Sequence, residues 1–68
     1  MDAKRMGERI RKLRSYEHMT QEQPAEEAGL SVAHVGNVER GVKTPSLAAL
    51  YSICAALGCK MEYVLAGE

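Results

Sequence analysis

The chain has 68 residues, of which 46% are hydrophobic and 26% are charged, and its formal net charge is zero. This size and composition predict one small globular domain over residues 1–68 and exclude a second domain or an extended hydrophobic core. The sequence has neither a signal-peptide pattern nor an apolar run near the ~20 residues of a membrane span, so we expect a cytoplasmic protein without a membrane partner.

The first predicted element is an amphipathic helix over about Ala3 to Tyr16, with Asp2 available as its cap. The apolar residues that recur at the spacing of one buried stripe are Met6, Ile10 and Leu13. Residues 1–14 also carry six basic and two acidic side chains, a net charge of +4, whereas the rest of the chain carries −4. Such a basic run is either a solvated helix face or a surface that attracts phosphate groups.

Two short helical patterns follow on either side of Gly29, at about Gln21–Ala28 and Val32–Arg40. Thr20 and Gln23 have the spacing of a capping box at the start of the first of these helices. Gly29 can take a positive φ without a Cβ penalty, so it ends that helix and turns the chain. Two helices joined by a turn of about three or four residues form the helix-turn-helix pattern.

A loop is predicted over residues 42–45, then a mostly buried helix that ends at Gly58, and a last short helix over about Met61–Ala66. The residues expected to bury this fourth helix are Leu47, Leu50, Tyr51, Ile53, Cys54 and Leu57. No strand is predicted, so the fold class is all-α with five helices. Tyr63 and Val64 in the last helix have two interpretations, which are contacts of a dimer or residues that only close the core.

Five segments carry a family resemblance: GERIRKLR at 7–14, MTQEQ and AEEAGLS within 19–31, NVERG at 37–41, TPSLAAL at 44–50 and ALGCKMEYVL at 56–65. In this order and spacing they resemble the Cro/cI-type (XRE family) helix-turn-helix domains of phage repressors and related small bacterial regulators. The resemblance covers nearly the whole chain. It implies a compact lambda-repressor-like bundle of five helices, in which helix 3 enters the major groove of double-stranded DNA and members bind operators as homodimers.

The resemblance also implies roles for individual residues. It places Val32, Ala33, Gly36 and Asn37 toward base edges, and Gln21, His34, Arg40 and Lys43 at phosphates or at the periphery. Asn37 can bond an adenine edge bidentately, and Val32 or Ala33 can touch a thymine methyl group, which together suggest an A·T-containing half-site. The alternative for Asn37 and His34 is an ordinary exposed polar side chain. Arg14 and Glu39 match an internal ion pair of the family fold.

Pro24 departs from the family pattern, which has a large aliphatic residue at this position. As the fourth residue of helix 2, proline would remove the first regular backbone hydrogen bond of that helix. The sequence alone therefore predicts that helix 2 survives but starts irregularly by one residue, and that Pro24→Leu raises the melting temperature.

The residues favour a sequence-specific DNA-binding transcription regulator, in particular a repressor. The alternative is a protein-interaction module that keeps the fold and uses the small residues of helix 3 against another protein. No nucleophile is paired with a base, and Cys54 and Cys59 lack the spacing and histidine partners of a zinc site. We therefore expect two buried thiols, no enzymatic activity, and no metal, cofactor or small-molecule ligand.

Overall fold

The structure is a computed structural model that describes residues 2–66, so Met1 and residues 67–68 lie outside the described part. The helices are α1 (Ala3–Tyr16), α2 (Glu22–Ala28), α3 (Val32–Glu39), α4 (Leu47–Leu57) and α5 (Met61–Leu65). Within residues 2–66 there is no strand, and the prediction of an all-α chain with five helices is confirmed. The observed ends differ from the expected ones by one residue at the start of α2 and at the ends of α3 and α5.

Side-chain caps define the starts of three helices. The Asp2 carboxylate accepts a hydrogen bond from the Lys4 amide at 3.0 Å, as the sequence predicts. The hydroxyls of Ser31 and Ser46 cap α3 and α4 in the same way. Each cap satisfies a backbone amide that has no acceptor inside its helix, which fixes where the helix begins.

The start of α2 differs from the predicted capping box. The Gln23 side-chain oxygen accepts a hydrogen bond from the Thr20 amide at 3.0 Å, but the helix begins one residue late, and its N-cap, Gln21, makes no capping bond. Pro24 is therefore the third helical residue, where an amide would have no acceptor inside the helix. The first regular bond, from the Ala25 amide to the Gln21 carbonyl oxygen at 3.3 Å, is present. Pro24 removes no bond from the helix as it is built.

The first four helices end in the same hydrogen-bond pattern. After α1 the Met19 amide donates to the Arg14 carbonyl oxygen and the His18 amide to that of Ser15, both at 3.0 Å. This nested pair is a Schellman motif, which requires a residue in the left-handed region of φ. After α2, α3 and α4 these residues are Gly29, Gly41 and Gly58. After α1 the residue is His18, with φ 58°, although a Cβ disfavours this conformation.

One hydrophobic core joins the helices. Its buried members are Met6, Ile10, Val38, Leu50, Ile53, Cys54, Leu57 and Val64. Val64 is 2% exposed and closes the core, so its interpretation as a dimer contact is wrong, whereas Tyr63 is 46% exposed. Leu47 and Tyr51 were expected to be buried but are 67% and 65% exposed. At 100° per residue, both lie at the edge of the stripe that α4 buries.

The two cysteines lie together at the end of α4. Cys54 is buried, as predicted, but Cys59 is only half-buried. Burial raises the pKa of the Cys54 thiol to about 12, and a hydrogen bond with the Cys59 side chain adds to the shift. Both effects favour the neutral thiol, because a thiolate in an apolar core loses its hydration.

Helix α1 crosses the end of α3 at very close range. A Cβ atom built on Gly7 would lie 2.3 Å from the carbonyl oxygen of Val38 and 2.5 Å from that of Glu39. Only a residue without a side chain fits between the two backbones. This contact places the C-terminal end of α3 directly beside α1 and sets the position of Glu39.

Candidate nucleic-acid interface

Helix α3 divides into a buried side and an open side. Val35 and Val38 are fully buried against the rest of the domain. Val32 is 38% exposed and Ala33 is exposed, so the N-terminal half of the helix presents small apolar side chains to its surroundings. This open side carries two of the residues that the resemblance places toward base edges.

Gly36, a third such residue, does not lie on the open side. It is buried, and a Cβ atom added to it would lie 3.2 Å from Arg40 Nη1 and 3.5 Å from Gln21 Oε1. The side chains of Arg40 and Gln21 thus cover this part of α3. These two side chains occupy the space in front of Gly36, and its placement toward base edges stays a prediction.

The Asn37 side chain is oriented by a hydrogen bond from Arg40. Arg40 Nη2 donates to Asn37 Oδ1 at 2.6 Å. Because a guanidinium only donates hydrogen bonds, this contact turns the amide so that Oδ1 faces Arg40, while the second lone pair of Oδ1 and both Nδ2 donors stay available. Bidentate recognition of adenine needs Oδ1 as an acceptor for the adenine amino group. The bond from Arg40 orients the amide and leaves both of its hydrogen-bonding groups able to bind, so the adenine contact expected from the sequence stays a prediction.

The loop after α3 is anchored by the same residue. The Asn37 carbonyl oxygen accepts hydrogen bonds from the Val42 amide at 2.9 Å and from the Lys43 amide at 3.3 Å. Val42 is 69% exposed and Lys43 is also exposed. The backbone bonds therefore hold Lys43 next to the end of α3 while its ammonium group can reach outward.

A buried ion pair links α1, α2 and α3. Arg14 Nε donates to Glu39 Oε2 at 2.6 Å and Arg14 Nη2 donates to Glu39 Oε1 at 3.1 Å. Gln21 Nε2 donates to the same Oε1 at 3.0 Å, and Arg14 Nη1 donates to the Met19 carbonyl oxygen at 2.8 Å. The hydrogen bonds that Arg14 donates to Glu39 raise the pKa of Arg14 above its usual value. Glu39 is 5% exposed, so these bonds replace the hydration that its carboxylate loses.

The network also orients the side chain of Gln21, which the family resemblance places at a phosphate. Its side-chain nitrogen is held by Glu39, so the residue joins the start of α2 to the end of α3. Its side-chain oxygen lies beside Gly36, as described above. The Gln21 side chain is thus oriented by the protein, while the sequence alone offered no signal for its bond to Glu39.

His34 is half-buried, and its Nε2 is buried without a hydrogen-bond partner. Its backbone amide donates to Ser31 Oγ at 3.0 Å as part of the helix cap. Nε2 is therefore not available to a phosphate oxygen in this arrangement, and the peripheral role expected for His34 stays a prediction.

A contact between α1 and α5 was not anticipated from the sequence. Arg9 Nη1 donates to the Tyr63 carbonyl oxygen at 3.0 Å, and the Arg9 guanidinium carbon lies 5.2 Å from the centre of the Tyr63 ring. The two residues are 54 positions apart, and neither a motif nor a periodicity connects them. One of the six basic residues of the N-terminal run is thus used to dock α5.

Across residues 2–66, no three or more histidine, cysteine or acidic side chains come together where they could hold a metal ion. The same part of the chain has no helix with the length and apolar character needed to cross a membrane.

Comparisons with known proteins agree on the family. A helix-turn-helix family model matches residues 10–64. The immunity repressor protein of Bacillus phage phi105 is 35% identical over 63 residues, which are 93% of this chain and 44% of that protein. The chain therefore spans less than half the length of that relative.

Two solved structures superpose closely. The restriction-modification controller protein C.AhdI from Aeromonas hydrophila has a TM-score of 0.89 and 33% identity, over 93% of this chain and 96% of that one. The clp gene regulator ClgR from C. glutamicum has a TM-score of 0.90 and 30% identity, over 98% and 87% respectively. Both the fold class and the family resemblance are thereby confirmed, and the chain belongs to the helix-turn-helix family of Cro/cI (XRE) type.

Proposed function

We propose that this protein is a sequence-specific DNA-binding transcription regulator, acting as a repressor in the cytoplasm and without enzymatic activity. The observation that carries the proposal is the helix-turn-helix itself, with the open side of α3 flanked by Gln21 and Arg40. With eight residues, α3 is about 12 Å long, a length that suits a major groove about 12 Å wide. The similar proteins are named a repressor, a controller protein and a gene regulator, which supports the same role here.

Base readout is assigned to three residues of α3. Val32 and Ala33 can contact thymine methyl groups. Asn37, which Arg40 orients, presents the Nδ2 donors and the second lone pair of Oδ1, and these suit the mixed donor and acceptor edge of adenine. We therefore expect an A·T-containing half-site with adenine opposite Asn37.

Phosphate contacts are assigned to Lys43, Arg40 and the start of α2 near Gln21. Free amides at a helix N-terminus and cationic side chains around it are suited to phosphate oxygens, and such contacts fix the register of the protein on DNA. These contacts do not distinguish one base sequence from another.

We further propose that the protein binds its operator as a homodimer. The domain measures 26 × 21 × 18 Å, whereas two successive major grooves on one face of DNA are about 34 Å apart. One copy therefore covers one groove, and a two-fold symmetric operator requires two copies. Tyr63 remains a candidate for the contact between copies, since nearly half of its surface is exposed.

Selection of bound duplexes from random DNA tests the proposal. We expect a two-fold symmetric site with half-sites about one helical turn apart. Asn37→Ala should relax selection at one position of each half-site, at a cost of about 1–3 kcal/mol on the preferred sequence. Lys43→Gln, the control, should weaken binding to all sequences alike. If the wild-type chain binds no duplex even at low salt, the proposal is wrong and the protein-interaction module becomes the better reading of the fold.

A further inference from the structure

The cations of α1 fall on two sides of the helix. Lys4 and Arg11 line a cleft that faces the helix-turn-helix, together with residues of α2 and α3. Arg9 and Lys12 lie on another side, near Tyr63 of α5, where Arg9 makes the contacts described above. The basic run of the sequence is therefore not one uniform surface.

The first side borders a defined space. A cleft of about 560 Å³ is lined by Lys4, Glu8, Arg11, Gln21, Glu39 and Arg40. Lys4 is held at the edge of this cleft by the backbone, since a Cβ atom added to Gly41 would lie 2.8 Å from the Lys4 Cα. The cleft thus joins α1 to the same part of the protein that carries Gln21 and Arg40.

The charge in this cleft is positive once the ion pair is counted. The Glu39 carboxylate is neutralised by Arg14 at 2.6 Å and also accepts a bond from Gln21. The remaining charged groups that line the space are the cations of Lys4, Arg11 and Arg40 and the single carboxylate of Glu8. Several cations around one concave space attract a polyanion more strongly than the same charges spread over a convex surface.

We propose that this cleft receives a phosphate group of the DNA backbone at the border of the groove that α3 enters, with Lys4 and Arg11 as its ligands. The inference rests on the proposed DNA binding and extends the interface from the helix-turn-helix to α1. The planar guanidinium of Arg11 can hold two phosphate oxygens, and Lys4 adds a compact point charge. Both side chains are exposed, so DNA reaches them without unfolding any part of the domain.

Lys12 offers a matched control, because it is an exposed lysine of the same helix that does not line this cleft. The experiment compares Lys4→Gln, Arg11→Gln and Lys12→Gln on one duplex of about 20 base pairs, or two helical turns, recovered by selection from random DNA. Affinity is measured from about 50 to 200 mM salt, and far-UV circular dichroism verifies that each variant is folded. Arg11→Lys tests whether charge alone is sufficient.

A lost phosphate contact lowers the slope of log affinity against log salt by about 0.9 for each bound protomer. For each bound protomer the corresponding loss of affinity is about fifteenfold at 50 mM salt and about fourfold at 200 mM, so a homodimer on a two-fold symmetric duplex loses the square of each factor. We expect these losses for Lys4→Gln and Arg11→Gln, partial recovery for Arg11→Lys, and a slope unchanged by Lys12→Gln.

Equal losses in all three glutamine variants would show diffuse attraction by the helix charge and overturn the proposal. Unchanged binding by Lys4→Gln and Arg11→Gln would overturn it as well, while binding by the wild-type chain would leave the proposed function intact. Failure of the wild-type chain to bind any duplex would instead refute the proposed function, and the assignment of the cleft with it.

Discussion

Gly7→Ala and Gly36→Ala add the same methyl group to two helices and should change stability in opposite directions. At Gly7 the new carbon would lie 2.3 Å from the Val38 carbonyl oxygen and 2.8 Å from the Glu39 carbonyl carbon. The first distance is roughly 1 Å shorter than a close carbon–oxygen contact. At Gly36 the nearest atom is Arg40 Nη1 at 3.2 Å, the far end of a flexible side chain.

The magnitudes follow from two opposing effects. Alanine stabilises a helix interior by about 1 kcal/mol relative to glycine, which applies to both positions. At Gly7 the added carbon would clash with backbone atoms of α3, and no change of side-chain rotamer can relieve that clash. The destabilisation should therefore lie at the upper end of the range for overpacking, about 3 kcal/mol or more. Gly7→Ala should therefore lose about 2 kcal/mol or more. Gly36→Ala should gain about 1 kcal/mol, because Arg40 can move aside.

Thermal unfolding followed by far-UV circular dichroism measures both variants against the wild-type chain. For a domain of this size, 1 kcal/mol corresponds to roughly 4–8 °C in melting temperature. We expect a fall of at least about 8 °C for Gly7→Ala and a rise of about 4–8 °C for Gly36→Ala. If Gly7→Ala were as stable as the wild-type chain or more stable, the close packing of α1 on α3 would be refuted. A large fall in the melting temperature of Gly36→Ala would show that the Arg40 side chain cannot move away from the added methyl group.

Three further predictions concern other elements. His18→Gly should raise the free energy of unfolding by about 1 kcal/mol in urea titration, because His18 holds a left-handed φ of 58°, whereas Gly29→Ala should lower it. Pro24→Leu should lower the melting temperature, in contrast to the expectation from sequence, because Pro24 is fully buried and overpacking costs about 1–3 kcal/mol; a higher value would favour the sequence expectation. The Cys54 thiol has a pKa of about 12 in the folded chain against an ordinary value of 9.0. The stability that its neutral form gives the folded state is therefore complete below about pH 9 and is lost as the pH rises toward 12. In urea titration, the free energy of unfolding should be about 1 kcal/mol lower at about pH 10 than at about pH 8, and Cys54→Ala should not show this difference.

The α-helices were predictable because their signals are local. Caps such as Asp2 and Ser46, the apolar stripe of α1, and glycines in Schellman motifs act within about six residues of chain, and the observed helices agree with them to within one residue. Pro24 shows the limit of this reasoning, because a one-residue shift of the helix start removed its expected backbone penalty. Leu47 and Tyr51 show another limit, since hydrophobic character alone does not tell which edge of a stripe other helices cover.

The interface was predictable only as a set of positions. The resemblance named Asn37, Arg40, Gln21 and Gly36, but the bond from Arg40 to Asn37 and the cover over Gly36 depend on how side chains meet in space. These contacts decide how the side chains are oriented toward a base or a phosphate. No pattern along the chain specifies them.

By itself, the sequence determined the five helices, the helix-turn-helix and the family, since these depend on local propensity, capping and the spacing of motifs. Tertiary structure alone decided that Gly7 lets α1 touch α3 and that Lys4 and Arg11 share a cleft with Gln21 and Arg40. It also decided that Glu39 holds both Arg14 and Gln21. The physical reason is that these features arise from atoms brought within a few ångströms by the packing of helices distant in sequence.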